Sequence, residues 1–190
     1  MKKCENEDLL IKRASKGDTL SFEVLVRYYE KFVYNIAFSY MGNSQDAFDV
    51  AQDAFIKVWE KLKTFKGKSS FSTWLYRIVA NSAKDALEKR KKVWKGCEAQ
   101  DLSTGETPED KVIEKERLES LKIALFSLDK DSRNILVLRE FSELNYEEIA
   151  EVLHIPSGTV KSRLNRARVK LKDALMEQNS KSSVKTDEKR

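Results

Sequence analysis

The sequence predicts an all-α protein: two small helical domains joined by a flexible linker. Three observations lead there. The 190 residues hold only six glycines and two prolines, too few chain breakers for an all-β fold with a turn every few residues. Apolar residues make up 41% of the chain and recur at spacings of three and four, the period of a helix with one buried face. That period fails between Val93 and Thr107, which carries Gly96, Gly105 and a Ser-Thr pair and reads as a linker. The expected divisions are a helical domain over 8–92, a linker over 93–107, a second helical domain over 108–176 and a polar tail over 177–190.

Each element has its own justification. Leu9, Leu10 and Ala14 predict a short helix, which Gly17-Asp18 interrupts. Phe22, Leu25, Val26, Tyr29, Phe32, Val33, Ile36, Ala37 and Tyr40 predict a long one. Met41-Gly42-Asn43-Ser44 closes it, and Asn43 or Ser44 caps the next. The third helix puts Ala47, Ala51, Ala54, Phe55, Val58, Trp59 and Leu62 on one side. Asp46, Asp49, Asp53, Lys57 and Glu60 line up along another. A basic loop, Lys66-Gly67-Lys68-Ser69-Ser70, leads to a fourth helix capped by Ser72 or Thr73 and ending in Lys89-Arg90-Lys91-Lys92. In the second domain, Tyr146 to Leu153 is a short helix, broken by His154-Ile155-Pro156 because proline cannot continue it. Ser157 stands at the N-cap of the next helix, which Val160, Leu164, Ala167, Leu171 and Leu175 pack inward.

Composition removes several functions. Lys and Arg number 36, Asp and Glu 31, for a net charge of +5 and a pI near 9.0, which points weakly to nucleic acid or an anionic surface. A single histidine, His154, and two distant cysteines, Cys4 and Cys97, exclude a zinc finger. They leave a Ser-His-Asp or Cys-His reading without positional support. A carboxylate-based enzyme is not excluded by this count, and no metal or cofactor is expected. Unpaired cysteines fit a reducing compartment. No apolar run approaches a membrane span, and the N-terminus lacks the apolar core of a signal peptide. A soluble, cytoplasmic protein is expected.

Three stretches carry candidate chemistry. From Pro156 to Leu175 six bases face one acid, whereas Arg139 to Leu153 has five acids and one base. Helix, tight turn and basic helix make the helix-turn-helix pattern, whose second helix enters a major groove. The alternative is a helical hairpin with a solvated basic face. From Phe65 to Lys92, Phe65, Phe71, Trp74 and Tyr76 alternate with Lys66, Lys68, Arg77 and Lys84. Aromatic faces stack on unpaired bases while cations hold the backbone, although Trp74, Leu75 and Ile78 also lie at core spacing. The stripe Asp46, Asp49, Asp53 is a solvated face, a site for a basic protein partner or a metal site.

In order, these segments resemble the parts of a small two-domain sigma factor. Asp46 to Trp59 is similar to the core-binding helix of bacterial sigma factors, and Phe65 to Asn81 to their promoter-melting, −10-reading segment. Leu138-Arg139-Glu140, Tyr146 to Ala150 and Gly158 to Arg168 resemble their −35-reading helix-turn-helix. The chain is identified from about residue 8 to 176 as a member of the sigma-70 family, extracytoplasmic-function type. The resemblance implies a non-catalytic subunit that binds core RNA polymerase, directs it to promoters and opens DNA. Asp46, Asp49, Gln52 and Asp53 would meet the clamp of the largest catalytic subunit, and the second domain its flap. Phe65, Lys66, Lys68, Ser69, Phe71, Arg77, Asn81, Lys84, Lys89 and Arg90 would handle the −10 element, with Asn81 and the loop holding a flipped base. Thr159, Lys161, Ser162, Arg163, Asn165, Arg166 and Arg168 would read or grip the −35 element. Lys68 and Asp85 depart from the family pattern beside the base pocket. The resemblance also implies an anti-sigma partner, in many relatives a membrane-bound one. The competing reading is a helix-turn-helix regulator that acts without being a polymerase subunit. It leaves the basic aromatic segment unexplained.

Overall fold

The computed structural model describes residues 6–93, 112–142 and 144–187. Local sequence sets each helix boundary in the first unit. Helix α1, Glu7–Ala14, ends before Gly17, whose φ of +98° turns the chain. Asp18 then caps α2, Thr19–Met41, accepting from the Leu20 and Ser21 amides. The Ser21 hydroxyl also donates to it at 2.7 Å and, with those amides, holds the carboxyl below its ordinary pKa. Gly42 stops α2 with a φ of +83°, a left-handed C-cap. Asn43 caps α3, Ser44–Lys61, by accepting from the Asp46 amide at 2.8 Å. After a 3-10 turn over Leu62–Thr64 and the basic loop, α4 covers Phe71–Val93. The Ser70 hydroxyl accepts from the Thr73 amide at 3.2 Å. The cap therefore sits before Ser72 and Thr73, which are themselves buried.

The four helices enclose one core. Leu25, Tyr29, Val33 and Ile36 of α2 meet Ala47, Val50, Ala54 and Val58 of α3 and Leu75, Val79 and Ala83 of α4. Alanine at the α3 and α4 contacts lets the helix axes approach closely.

The second unit starts with α5, Val112–Ser127, and α6, Lys130–Leu136, which Asp129 caps. A π-helical turn over Val137–Phe141 follows, closed by the Ser142 amide on the Val137 carbonyl at 2.9 Å. Helix α7, Tyr146–Leu153, opens with a reciprocal capping box between Asn145 and Glu148. It ends at His154, whose φ of +54° makes the left-handed turn. Ser157 is the first residue of α8, Ser157–Asp187, rather than its N-cap. That helix runs eleven residues past Met176, through the stretch expected as a polar tail. The stretch contains no glycine or proline, so nothing in it stops helix propagation. Ile135, Leu138, Leu144, Ile149, Val152, Val160, Leu164 and Ala167 form the core of this unit. Among the described residues there is no strand. Apart from Val93, the expected linker lies outside the described residues, as do Cys4 and Cys97.

The units share a face. Helix α2 packs against α6 and the π-helical turn, and α4 packs against α7. Substituting Asn145→Ala removes the side-chain half of the capping box, the acceptor for the Glu148 amide, and leaves the backbone amide of residue 145 to donate to Glu148. It is expected to cost about 1 kcal/mol, read as a lower urea midpoint at unchanged slope.

Candidate nucleic-acid interface

Helix α8 is held by Val160, Leu164 and Ala167, all buried against α6 and α7. This rotation leaves Lys161, Ser162, Arg163, Asn165 and Arg166 exposed and Thr159 half-buried. Arg163, Arg166 and Lys170 line a shallow basic notch against Asp131 and Ser132 of α6. Farther along, bases are paired within the unit. The Arg168 guanidinium donates twice to one Glu140 oxygen, at 2.6 and 3.1 Å, which raises its pKa. Lys170 donates to Asp129 at 2.6 Å. With the Ser132 amide and hydroxyl, that bond depresses the Asp129 carboxyl well below its usual range. A carboxyl depressed by folding stabilises the fold above its unfolded pKa, so this small exposed contribution is present at neutral pH and lost on acidification.

The α4 face is built differently. Phe65, Phe71 and Trp74 form an aromatic cluster with ring centroids 5.3–5.6 Å apart. Phe71 also meets Tyr29 at 5.3 Å and is only 3% exposed. This cluster anchors the loop that presents Lys66 and Lys68 to solvent, with Ser69 half-buried. Arg77, Asn81 and Lys84, spaced by four and three, share one exposed face of α4. Lys89 is exposed nearby.

Two ion pairs tie α3 to α4: Arg90 to Asp46 at 2.9 Å and Lys57 to Asp85 at 3.2 Å. Asp49, Gln52 and Asp53 remain exposed on α3. Beside them, Phe48 and Ile56 are more than half exposed. Phe48, Gln52, Phe55 and Ala51 also line a groove of about 580 Å³ against Val26, Glu30, Lys31 and Tyr34 of α2. Two turns of α3 therefore offer acids and apolar surface side by side. Among the described residues, no three carboxylate, histidine or cysteine side chains group as metal ligands.

Known proteins share this order of units. The family profile Sigma-70 region 2 matches residues 25–93, and Sigma-70, region 4 matches residues 119–171. RNA polymerase sigma-H factor of Pseudomonas aeruginosa is 37% identical over 90% of this chain and 94% of its own length. ECF RNA polymerase sigma factor SigW of Bacillus subtilis is 35% identical over 87% of this chain and 94% of its own. The chain belongs to the ECF group of the sigma-70 family. Among solved structures, CnrH in complex with the cytosolic domain of CnrY superposes with a TM-score of 0.68 at 26% identity, covering 90% of this chain and 97% of that one. The sigma factor RpoE of Bartonella quintana, in complex with the anti-sigma factor NepR, gives 0.66 at 26% identity, covering 82% and 96%.

The protein is thus an RNA polymerase sigma factor, and the helix-turn-helix regulator is not favoured. Its side chains place several of the expected site residues in contacts within the chain. Asp46 and Arg90, expected to face different partners, bind each other, because helical rotation turns both into the α3–α4 seam. Phe71 is buried and supports the loop instead of presenting a face to a base. Arg168 is engaged by Glu140. Asp85, placed at the base pocket, pairs with Lys57. The sequence reading also missed Phe48 and Ile56. Their signal was present: both fall off the apolar side defined by Ala47, Ala51, Ala54 and Val58, so a soluble helix exposes them.

Proposed function

We propose that this sigma factor divides promoter opening among three surfaces. The α3 face around Asp49, Gln52 and Asp53 meets a basic, partly apolar surface on the clamp of core polymerase, with Phe48 and Ile56 seated in its apolar part. Mixed acid and apolar exposure along two helical turns supports this reading, since apolar groups anchor an interface and charges set its register. The second unit contacts the flap. On α4, Arg77, Lys84 and Lys89 follow the backbone of the −10 strand, while Asn81 with Lys66, Lys68 and Ser69 holds one extruded base. The first turns of α8, Thr159 to Arg166, enter the −35 major groove. Such work places the protein in the cytoplasm with the chromosome, and no described helix is long and apolar enough to cross a membrane. An anti-sigma factor, like the NepR named for the Bartonella relative, is the expected negative partner, membrane-bound or soluble.

The observation that carries this reading is the pairing, on one chain, of an exposed Lys161–Arg163–Arg166 face on α8 with an exposed Arg77–Asn81–Lys84 face beside an aromatic-anchored basic loop. Run-off transcription with core polymerase tests it. Wild-type chain is expected to give promoter-dependent transcripts. Asn81→Ala should keep core binding but lower melting of the −10 region, because flipping a base costs a few kcal/mol that pocket hydrogen bonds offset. Permanganate reactivity reports the melted thymines. Equal reactivity for mutant and parent removes Asn81 from the pocket.

A further inference from the structure

The bases of α8 line the two edges of its exposed face. At about 100° per residue, Lys161, Arg168 and Lys172 fall along one edge of the buried stripe Val160, Leu164 and Ala167, and Arg163, Arg166 and Lys170 along the other. Early in the helix, Lys161, Arg163 and Arg166 are exposed and make no ion pair among the described residues. Farther along, each edge has one base tied to an acid of another element. Arg168 donates through Nε and Nη2 to Oε1 of Glu140, in the π-helical turn, at 3.1 and 2.6 Å. Two residues on, at the opposite edge, Lys170 Nζ donates to Oδ2 of Asp129 at 2.6 Å and to the Ser132 hydroxyl at 3.3 Å. Asp129 also caps α6 by accepting from the Ser132 amide at 3.0 Å, so its carboxylate is held in place.

This arrangement has an electrostatic consequence in a groove. A helix with its side chains is about 10–12 Å across and the major groove about 12 Å wide, so a docked α8 faces a phosphate wall at each edge. A free base gains affinity there by displacing a counterion condensed on a phosphate. A base neutralised by a carboxylate brings no net charge to the wall. Were the Arg168 guanidinium to turn to a phosphate, Glu140 would face the same wall uncompensated, and its charge would draw a cation back. The same holds for Lys170 and Asp129. One neutral pair at each edge therefore removes two of the six bases between Lys161 and Lys172 from the sequence-independent part of binding.

We propose that Glu140 and Asp129 are specificity-determining residues: by keeping Arg168 and Lys170 from the phosphate walls, they hold sequence-independent affinity down, so that DNA occupancy depends on the base contacts of the first turns of α8. The inference rests on the placement of α8 in the −35 groove.

Holoenzyme reconstituted from core polymerase and the full chain provides the test. It is titrated on a promoter duplex and on a non-promoter duplex of equal length, at about 50 and about 200 mM salt. Glu140→Gln and Asp129→Asn remove charge at nearly constant shape, and an amide oxygen at position 129 still caps α6. Each freed base should add about 0.9 to the log–log salt slope. The double variant should bind both duplexes more tightly at the lower salt and lose about tenfold more affinity than the parent between the two salts. In the Glu140→Gln background, Arg168→Ala should return the slope to that of the parent. Glu147→Gln neutralises an exposed acid of α7 that makes no ion pair among the described residues, and should leave the slope near the parent value. Circular dichroism should match throughout. A double variant with the parent's slope overturns the proposal. Weaker binding also overturns it, since Glu140 would then set Arg168 onto a phosphate instead of withholding it. So does an equal gain from Glu147→Gln, which would reduce the effect to net charge. A parent holoenzyme that binds the two duplexes equally overturns the −35 reading instead, and the slopes on the non-promoter duplex still decide what the two pairs do.

Discussion

Reversing Asp49 and Asp53 together to lysine is expected to lower the affinity for core polymerase by roughly a hundredfold or more, since opposed like charges at a close interface cost several kcal/mol. Both carboxylates are exposed on α3, so the core of the unit is untouched and circular dichroism should match the parent. The nearby Asp46→Lys serves as a contrast. Asp46 holds Arg90 and accepts from the Asn43 amide side chain, so its reversal breaks the α3–α4 seam and should lower the melting temperature as well as binding. A pull-down with core polymerase separates the two effects. Unchanged affinity in the Asp49, Asp53 double variant would sink the clamp assignment, and the α3 face would then be a solvated surface.

The second large effect is expected on promoter choice. Arg163 and Asn165 stand in the first turns of α8, exposed and ahead of the paired Arg168 and Lys170. Replacing either with alanine should change which −35 sequences are used, at about 1–3 kcal/mol per lost base contact. Lys172 lies two turns later and is also exposed. Its replacement should weaken all sequences alike and reduce the salt slope, because one phosphate contact fewer releases one counterion fewer. Selection from a −35 library at two salt concentrations distinguishes these behaviours. If no first-turn substitution shifts the preferred sequence, α8 is a general phosphate binder and does not read the element. Glu140→Gln adds a control: it releases Arg168, so any change in salt slope there reports a base that the fold normally keeps for itself.

Much of the helical layout was legible because its signals are local. The apolar spacing in Leu25, Tyr29, Phe32, Val33 and Ile36, the cap at Asn43 and the break at Pro156 all act within a few residues. The basic face of α8 followed from the same period. What local signals did not reveal were the contacts of individual side chains. Asp46 and Asp49 are three residues apart and read alike in sequence, yet α4 supplies Arg90 to one of them. Phe65 and Phe71 read alike too, and only packing on Tyr29 buries the second. The cap of α4 moved to Ser70 because Ser72 and Thr73 were needed inside. Helix α8 outran its expected end because polarity alone does not stop a helix that lacks a breaker.

By itself the sequence determined the family, the order of the helices and the three stretches that carry the candidate sites, because motif spacing and helical period are properties of the chain taken a few turns at a time. The tertiary structure decided which members of those stretches face outward, which are spent on holding α3 to α4 or α8 to α6, and that α2 packs against α6 and α4 against α7. Those outcomes depend on residues 28 to 106 positions apart meeting in space, as Lys57 meets Asp85 and Asn35 meets Phe141. No local period encodes such a meeting.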